Sequence, residues 1–388
     1  MPSRYTTAAR IIFAGENLVN DDKGHISVAP KLADKLAKDG NEYLPTWDFS
    51  EKYEPYEFFK YEDPALRANE KLPNLFPEGA KYEKTNVSPK LGTEITGIQL
   101  SQLNDAAKDE VALLAAQRGV LIFRDQDLIG KGPEFLTDYA RHYGTLHIHP
   151  TSGAPKDHPD IHTVLSGGIK QDPFETRNNL VGFHSDVSYE LNPTALSFLA
   201  VTNIPKAGGG DTVFANNVEA YERLSPLFKE KLAGLKAVHS GVDQANLAIF
   251  KKGVVKRHPV ENSHPIVRTT PSGQKVLYVN GGFTRRIEGL KEEESTVLLK
   301  FLLDHVSKGH DFQIRVNWKP NTVVIFDNRV VSHSAILDFD TSDSRLIIRT
   351  AARGEHPVED LKDLNKPEEN NVYHGPEYLG DRLEGLTI

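Results

Sequence analysis

The order of hydrophobic and polar residues divides the chain into three parts. Residues 1–83 are rich in charged residues, proline and tyrosine and show neither a helical nor a strand period. We expect them to form an extension that lies on the surface or serves in assembly. From residue 84 to residue 355 the pattern is regular, which predicts one domain. The remaining residues, 356–388, are polar and proline-rich and are expected to form a C-terminal tail.

The regular part contains both helix and strand patterns. Residues 101–119 have the apolar spacing of an amphipathic helix, and GVLIFRD at 119–125 is typical of a buried strand. Two more helical stretches are predicted at 218–238 and 291–309. Apolar, β-favouring runs predict strands at 195–202, 275–280, 312–318, 322–328 and 345–353. A mainly β domain with helical decoration is therefore expected.

One predicted strand, VGFHSDVSYE at 181–190, carries two ionisable residues. Successive side chains of a strand point to opposite faces, so His184 and Asp186 are expected to share a face. Such a pair is common on protein surfaces and gains meaning only with a third partner. His333 is the candidate, because it follows the strong strand pattern of TVVIFDN. Two imidazoles and a carboxylate form the facial triad of non-haem iron(II) enzymes, whereas a closed zinc site needs a fourth ligand.

The composition narrows the classes of function. The 388 residues are 38% hydrophobic and 26% charged with a formal net charge of −8, which gives no support to nucleic-acid or membrane binding. The absence of cysteine excludes thiolate catalysis and cysteine-ligated metals. No apolar run could span a bilayer, and no secretory pattern is present, so a cytoplasmic location is expected. A mitochondrial location is the alternative, because the first 15 residues contain two arginines and no acid.

Seven motifs, taken in order, resemble those of the taurine dioxygenase family of iron(II)- and 2-oxoglutarate-dependent oxygenases. The resemblance runs from about Val87 to Arg353. The motifs are LHIHP (146–150), FHSD (183–186), GGDT (209–212), GFTRRI (282–287), FDNR (326–329), His333 and SRLIIR (344–349). The set is far more specific than any one of its members. It implies a double-stranded β-helix, or jelly roll, with iron held at one mouth of the barrel.

The resemblance also implies roles for individual residues. It makes His184, Asp186 and His333 the ligands of Fe(II). It implies that Arg345 binds the distal carboxylate of the co-substrate 2-oxoglutarate as a two-pronged fork, and that the hydroxyl of Thr212 adds a second contact. Molecular oxygen would be the other co-substrate.

Four further positions match family members that bind a sulfonate. They are His149, Asn179, Phe283 and Arg349. Arg345 and Arg349 lie four residues apart on a predicted strand, so they share a face and can address two different anions. Ser152 departs from the taurine-specific pocket, which has a tyrosine at this position. The resemblance therefore indicates a small anionic substrate of the sulfonate class more strongly than taurine itself.

The reaction implied is hydroxylation of the carbon next to sulfur in an alkyl sulfonate. Its products would be sulfite and an aldehyde, with succinate and CO₂ from 2-oxoglutarate. The same chemistry on a sulfate ester, an aryloxy or other carboxylate, a purine or a secondary-metabolite intermediate remains an alternative. A cupin-like metal-binding protein without catalysis is another, but it would have no use for Arg345, Thr212 and Arg349. We also expect a homo-oligomer.

Overall fold

The computed structural model describes residues 18–20, 25–36, 41–167, 182–251, 253–340 and 342–384. The strands are β1 Leu18–Asn20, β2 Ile26–Val28, β3 Thr46–Trp47, β4 Glu83–Asn86, β5 Thr93–Thr96, β6 Val120–Phe123, β7 His162–Gly167, β8 Thr194–Val201, β9 Thr212–Asn216, β10 Lys236–Ser240, β11 Glu261–Pro265, β12 Val267–Thr269, β13 Lys275–Leu277, β14 Thr284–Ile287, β15 Gln313–Val316, β16 Val323–Asp327, β17 Val331–Ala335 and β18 Ser344–Arg353. The helices are α1 Pro30–Leu36, α2 Asp105–Arg118, α3 Pro133–Arg141, α4 Asn217–Glu222, α5 Pro226–Leu232, α6 Val242–Phe250, α7 Glu292–Lys308 and α8 Leu379–Glu384.

A seven-stranded sheet forms the centre of the molecule, in the order β4-β5-β6-β16-β8-β18-β7. Its neighbouring strands are antiparallel except for β5 and β6. Strands β8 and β16 are buried along their whole length, because both faces of the sheet are covered. One face packs against helices α2 and α3 in a large hydrophobic core. This double coverage explains why the central strands are continuous apolar runs in the sequence.

The opposite face of the large sheet meets a three-stranded sheet in the order β15-β9-β17. Phe214 and Ile314 of the small sheet pack with Ile122, Leu199 and Val324 of the large one. A further sheet, β11-β10-β14, and the pair β12-β13 extend this second layer. The arrangement is the mainly β, two-layered architecture that was expected, with its candidate site between the layers.

Two predicted elements outside the candidate site differ in the structure. The helical stretch at 218–238 is divided into α4, α5 and β10, because Pro226 has no N–H to continue α4 and instead starts a new helix at its first position. The Oγ of Ser225 accepts the N–H of Phe228 and caps that helix. The strand predicted at 275–280 is limited to β13, Lys275–Leu277.

Parts of the N-terminal segment pack closely on the sheet domain. Leu75 is fully buried, and the carboxylate of Glu110 on α2 accepts its backbone N–H. Asp63 forms a buried ion pair with Arg329, at 2.5 Å. The side chain of Asn365 and the backbone of Tyr61 exchange two hydrogen bonds, so the N- and C-terminal segments also meet. A role of residues 1–83 in assembly stays a prediction, as do the boundaries of the three parts.

Among the helices that the structure describes, none combines the length and the hydropathy that crossing a bilayer requires.

Candidate active site

The three predicted metal ligands meet between the two layers of the fold. His333 lies in the middle of β17, and its backbone exchanges two hydrogen bonds with that of His184, at 2.8 and 2.9 Å. The Nε2 atoms of His184 and His333 lie 3.6 and 3.9 Å from Oδ1 of Asp186. One ligand atom from each of the three residues lies within 4.8 Å of the other two. The structure therefore brings together residues that are far apart in the sequence.

The strand predicted at 181–190 is wrong where the structure describes it. His184 forms one isolated bridge with His333, and turns follow it. The cause is Asn328, whose Oδ1 accepts the N–H of Asp186 at 2.7 Å and whose Nδ2 donates to the carbonyl of Asp186 at 3.0 Å. Val187 then adopts the left-handed region with φ 45°, which ends any extended conformation. Asp186 faces the imidazoles because Asn328 holds its backbone.

The protonation of the three ligands suits a divalent metal. Nδ1 of His184 lies 3.1 Å from the carbonyl of Gly182, so it carries the proton and leaves Nε2 free to bind. Burial, followed by the neighbouring His184, lowers the pKa of His333 to about 3. Burial opposes the charge of Asp186, but Arg349 and His333 hold the pKa of that carboxyl well below its usual range. At neutral pH the neutral imidazole of His333 thus faces an ionised carboxylate.

The donor set also fits the metal that the resemblance implies. Oδ2 of Asp186 is buried and has no hydrogen-bond partner among the described residues. A buried oxygen with a formal charge requires a hydrogen bond or a cation. Two imidazole nitrogens with one carboxylate are a set that non-haem Fe(II) accepts.

Arg345 is a buried guanidinium on β18 without an acidic partner. It is 3% exposed, its Nη2 donates to the carbonyl of Gly210 at 2.5 Å, and its buried Nε has no hydrogen-bond partner among the described residues. Burial lowers its pKa to about 10, so it remains charged at neutral pH. Within the described part of the chain no carboxylate lies within ion-pair distance of it. Such a group can bind an anion that enters the site.

The GGDT loop supplies the wall beside Arg345. Gly210 has φ 68°, a conformation that favours glycine, and a Cβ there would press on the guanidinium of Arg345, 3.0 Å from its Nε. Thr212, two residues later, begins β9 and is buried. The contact between Arg345 on β18 and Gly210 therefore brings the start of β9, with Thr212, toward Arg345.

Arg349 lies four residues along the same strand and reaches the metal ligands. Its Nη1 donates to Oδ1 of Asp186 at 2.5 Å, which is the carboxylate oxygen nearest to both imidazoles. Its strand partners are Leu199 on β8 and His162 on β7. A guanidinium has five N–H donors, so Arg349 retains donors for a second anion.

Two imidazole rings, those of His149 and His162, lie near Arg349. The ring centroids of His149 and His162 lie 4.2 Å apart, and Nε2 of His162 lies 2.9 Å from Oγ of Ser152. Nδ1 of His149 accepts the N–H of Thr151, so its proton is on Nε2. Burial lowers the pKa values of both rings well below the usual range, and the next cause is the neighbouring His162 for His149 and the charge of Arg349 for His162. These rings are therefore neutral hydrogen-bonding groups.

The loop that carries His149 is held by buried charges. Nε2 of His147 and Nη1 of Arg257 both contact Oε1 of Glu190, at 3.0 and 2.7 Å. Arg257 also donates to the carbonyl of Ile148 at 2.6 Å. The first histidine of LHIHP thus positions the loop, and the second faces the site.

Phe283 forms an aromatic wall next to the first metal ligand. It is 5% exposed, and its ring centroid lies 6.2 Å from that of His184 in an edge-on arrangement. Gly282 makes this possible, because a Cβ there would lie 2.9 Å from Cβ of His184. Asn179, the fourth substrate residue predicted from the sequence, lies outside the described residues.

Two side chains of the site were not singled out from the sequence. Asn328 stands inside the FDNR motif, and its contacts with Asp186 give that motif a positioning role. His162 begins the run HTVLSG of β7, and no local pattern in this run singles it out.

Comparison with known proteins identifies the family. The model of the family "Taurine catabolism dioxygenase TauD, TfdA family" matches residues 83–351. An alpha-ketoglutarate-dependent sulfonate dioxygenase of Saccharomyces cerevisiae is 44% identical over 354 residues, which are 88% of this chain and 86% of the relative. An alpha-ketoglutarate-dependent dioxygenase of Penicillium expansum is 39% identical over 330 residues, covering 82% of this chain and 87% of the relative.

A solved structure agrees with these relatives. The crystal structure of a taurine dioxygenase from Burkholderia xenovorans matches with a TM-score of 0.58 and 27% identity, covering 77% of this chain and 97% of that one. The expected jelly-roll fold is thereby confirmed. The chain belongs to the TauD/TfdA family and is a 2-oxoglutarate-dependent dioxygenase that acts on a small organic substrate.

Proposed function

We propose that this enzyme hydroxylates the carbon next to sulfur in an alkyl sulfonate and releases sulfite and an aldehyde, with succinate and CO₂ from 2-oxoglutarate. The yeast relative at 44% identity, named as a sulfonate dioxygenase, supports this substrate class. The observation that carries the proposal is the placement of two guanidinium groups on one strand, with only Arg349 in contact with the His/Asp cluster.

His184, Asp186 and His333 hold Fe(II) in this proposal. The bound metal supplies the activation of O₂ that couples decarboxylation of 2-oxoglutarate to oxidation of the substrate. The protein's part is to keep His333 neutral, which its burial favours, and Asp186 ionised, which the neighbouring Arg349 favours against the effect of burial. Gly182 and Asn328 hold His184 and Asp186 in orientation.

Arg345 binds the distal carboxylate of 2-oxoglutarate, and Thr212 offers its hydroxyl to the same group. The absence of an acidic partner for Arg345 among the described residues supports this role, because a buried cation without a counterion favours an incoming carboxylate. A planar guanidinium also sets the direction of the bound carboxylate.

Arg349 and His149 bind the sulfonate, with Phe283 and Asn179 completing the pocket. Arg349 supplies the charge, and the Nε2 proton of His149 supplies a neutral donor. Arg349 lies against Asp186, so an anion bound to it would place its adjacent carbon near the metal ligands. Binding the charged end thus orients the bond that reacts.

The test is a product measurement with purified enzyme, Fe(II) and 2-oxoglutarate in air. The panel contains alkyl sulfonates of increasing length, alkyl sulfate esters, aryloxyacetates and purines, and both succinate and sulfite are quantified. We expect about one sulfite per succinate for at least one sulfonate. Succinate coupled to oxidation of a sulfate ester, carboxylate or purine, with no sulfite from any sulfonate, would show that the alternative substrate class is correct.

We further propose a cytoplasmic homo-oligomer that binds neither nucleic acid nor membranes. The net charge of −8 supports the lack of polyanion binding, and the absence of cysteine fits a reducing compartment. Sedimentation equilibrium would show whether the chain self-associates.

A further inference from the structure

His162 lies beside Arg349 and His149, the two side chains proposed to bind the sulfonate and here called the sulfonate clamp. It is the direct antiparallel partner of Arg349, so the two side chains project from the same face of the large sheet. Its ring centroid lies 4.2 Å from that of His149, the other member of the clamp. His162 on β7, Arg349 on β18 and His149 on the LHIHP loop are therefore neighbours.

The two nitrogens of His162 have different environments. Nε2 lies 2.9 Å from Oγ of Ser152, whereas Nδ1 is buried and has no partner among the described residues. A buried ring nitrogen without a hydrogen bond is costly, and native structures rarely retain one without a ligand or water. When the hydroxyl of Ser152 donates to Nε2, the neutral ring must carry its proton on Nδ1.

We propose that His162 is a specificity-determining residue whose Nδ1–H donates the third hydrogen bond to the anionic head of the substrate. This inference rests on the proposed function. A sulfonate or sulfate head has three terminal oxygens, and Arg349, His149 and His162 offer three separate donor groups. A carboxylate can also accept several hydrogen bonds, but its two oxygens lie in one plane, so it matches three donors placed around a tetrahedral head less well. The arrangement therefore favours the tetrahedral anion over the planar one.

Ser152 is the positioning residue in this arrangement. The resemblance puts a tyrosine of the taurine-specific pocket at this position, and here the smaller serine leaves its hydroxyl in contact with His162. The serine and the histidine thus act as a pair, in which Ser152 sets the tautomer and His162 contacts the substrate.

Two substitutions distinguish the roles of the two nitrogens of His162. The amide nitrogen of asparagine can take the place of Nδ1, and that of glutamine the place of Nε2. His162→Asn therefore retains a donor toward the substrate, and His162→Gln retains only the contact with Ser152. His142→Asn is the matched control, because His142 is also partly buried but binds Asp109, at 2.8 Å, away from the site.

Binding of an alkyl sulfonate and of the carboxylate with the same chain is measured by calorimetry without O₂, with Fe(II) and 2-oxoglutarate present. KM values and sulfite release are measured separately in air. For His162→Gln we expect sulfonate affinity to fall about 10- to 100-fold, the loss typical of a hydrogen bond to a charged group, with a smaller change for the carboxylate. His162→Asn should lose less sulfonate affinity than His162→Gln, because it retains a donor at the position of Nδ1, and His142→Asn should stay within about threefold of wild type.

Ser152→Ala should also lower the affinity for the sulfonate, because Nε2 then lacks the donor that keeps the proton on Nδ1. Equal sulfonate affinity in wild type and His162→Gln would overturn the role of His162, even if sulfite is released. Tight sulfonate binding that depends on His162 without any sulfite release would instead overturn only the proposed reaction. If wild type neither binds nor oxidises sulfonates, both proposals fail.

Discussion

At the scale of single residues, the two arginines of β18 differ in what surrounds them. Arg345 is buried with no acid in ion-pair distance among the described residues, whereas Arg349 contacts Asp186 directly. Both side chains project from one face of the strand, yet only Arg349 reaches the metal ligands. The difference predicts that their substitution will affect different ligands.

Arg345→Ala should raise the KM for 2-oxoglutarate and leave substrate binding much less affected. Loss of one partner of a desolvated charge pair costs about 2–5 kcal/mol, or roughly 30-fold to several thousand-fold in affinity. The measurement is succinate formation as a function of 2-oxoglutarate concentration.

Arg315→Ala is the matched control for Arg345. Arg315 is half exposed and binds Asp211 and Asp338, the same two acids that raise the pKa of Arg345. Its removal should change the KM for 2-oxoglutarate by less than about threefold, because exposed ion pairs contribute about 1 kcal/mol or less. An unchanged KM in Arg345→Ala would remove that residue from the co-substrate site.

Arg349→Ala should abolish sulfite release while iron and 2-oxoglutarate still bind. Slow formation of succinate should persist without sulfite, because no substrate carbon would be held in place. The experiment pairs sulfite with succinate and adds metal content by elemental analysis, since Arg349 also contacts Asp186.

His149→Gln should reduce sulfite release less than Arg349→Ala does. The amide retains one donor, and the lost imidazole was neutral rather than charged. Coupled sulfite release by Arg349→Ala would contradict the clamp and leave this arginine a structural role only.

At the scale of elements, the turn between β16 and β17 links the large sheet to the metal ligands. Asn328 in this turn bonds both backbone groups of Asp186, and its Nδ2 also donates to the carbonyl and hydroxyl of Thr194. The turn therefore places Asp186 opposite His333, which follows it on β17.

Asn328→Ala should weaken metal binding by about 10- to 100-fold, the usual effect of removing a group that orients a metal ligand. The buried N–H of Asp186 also loses its acceptor, which should destabilise the fold by about 1–3 kcal/mol. Metal titration and thermal unfolding measure the two effects. Asn203→Ala, on a partly buried residue outside the site, should change neither. Normal metal affinity in Asn328→Ala would show that Asp186 is held by other contacts.

At the scale of the whole molecule, one buried cation joins three segments. Arg329 binds both carboxylate oxygens of Asp327, at 2.8 and 2.7 Å, and also contacts Asp63 and Glu355 at 2.5 and 3.3 Å. Arg268 pairs with the same Glu355. The network connects the N-terminal segment and the end of β18 to the turn that carries Asn328.

Arg329→Leu should lower the free energy of unfolding by about 3–5 kcal/mol, because it leaves buried carboxylates without their cation. Denaturant unfolding measures this loss. Arg67→Ala removes an exposed pair with Asp109 and should cost about 1 kcal/mol or less. Equal effects of the two substitutions would show that the buried network adds no more stability than a surface pair.

The sequence alone indicated the class of the fold and predicted most of the candidate site, although it did not single out Asn328 or His162. Apolar runs predicted the central strands because β8 and β16 are buried on both faces, and a strand buried on both faces is a continuous apolar run in the sequence. The ligands His184, Asp186 and His333 were predicted from residue type and motif order, since few side chains suit iron. Helix α7 was predicted because its apolar spacing and its terminal glycine are local features.

Only the tertiary structure decided how those residues are held. Strand register placed His162 opposite Arg349, and no local pattern specifies which residues of two strands become partners. Side-chain bonds from Asn328 replaced the predicted strand at Asp186 by turns, although the local apolar pattern favoured extension. Asp63 meets Arg329 across 266 residues of chain, a contact that depends on how all the intervening elements pack.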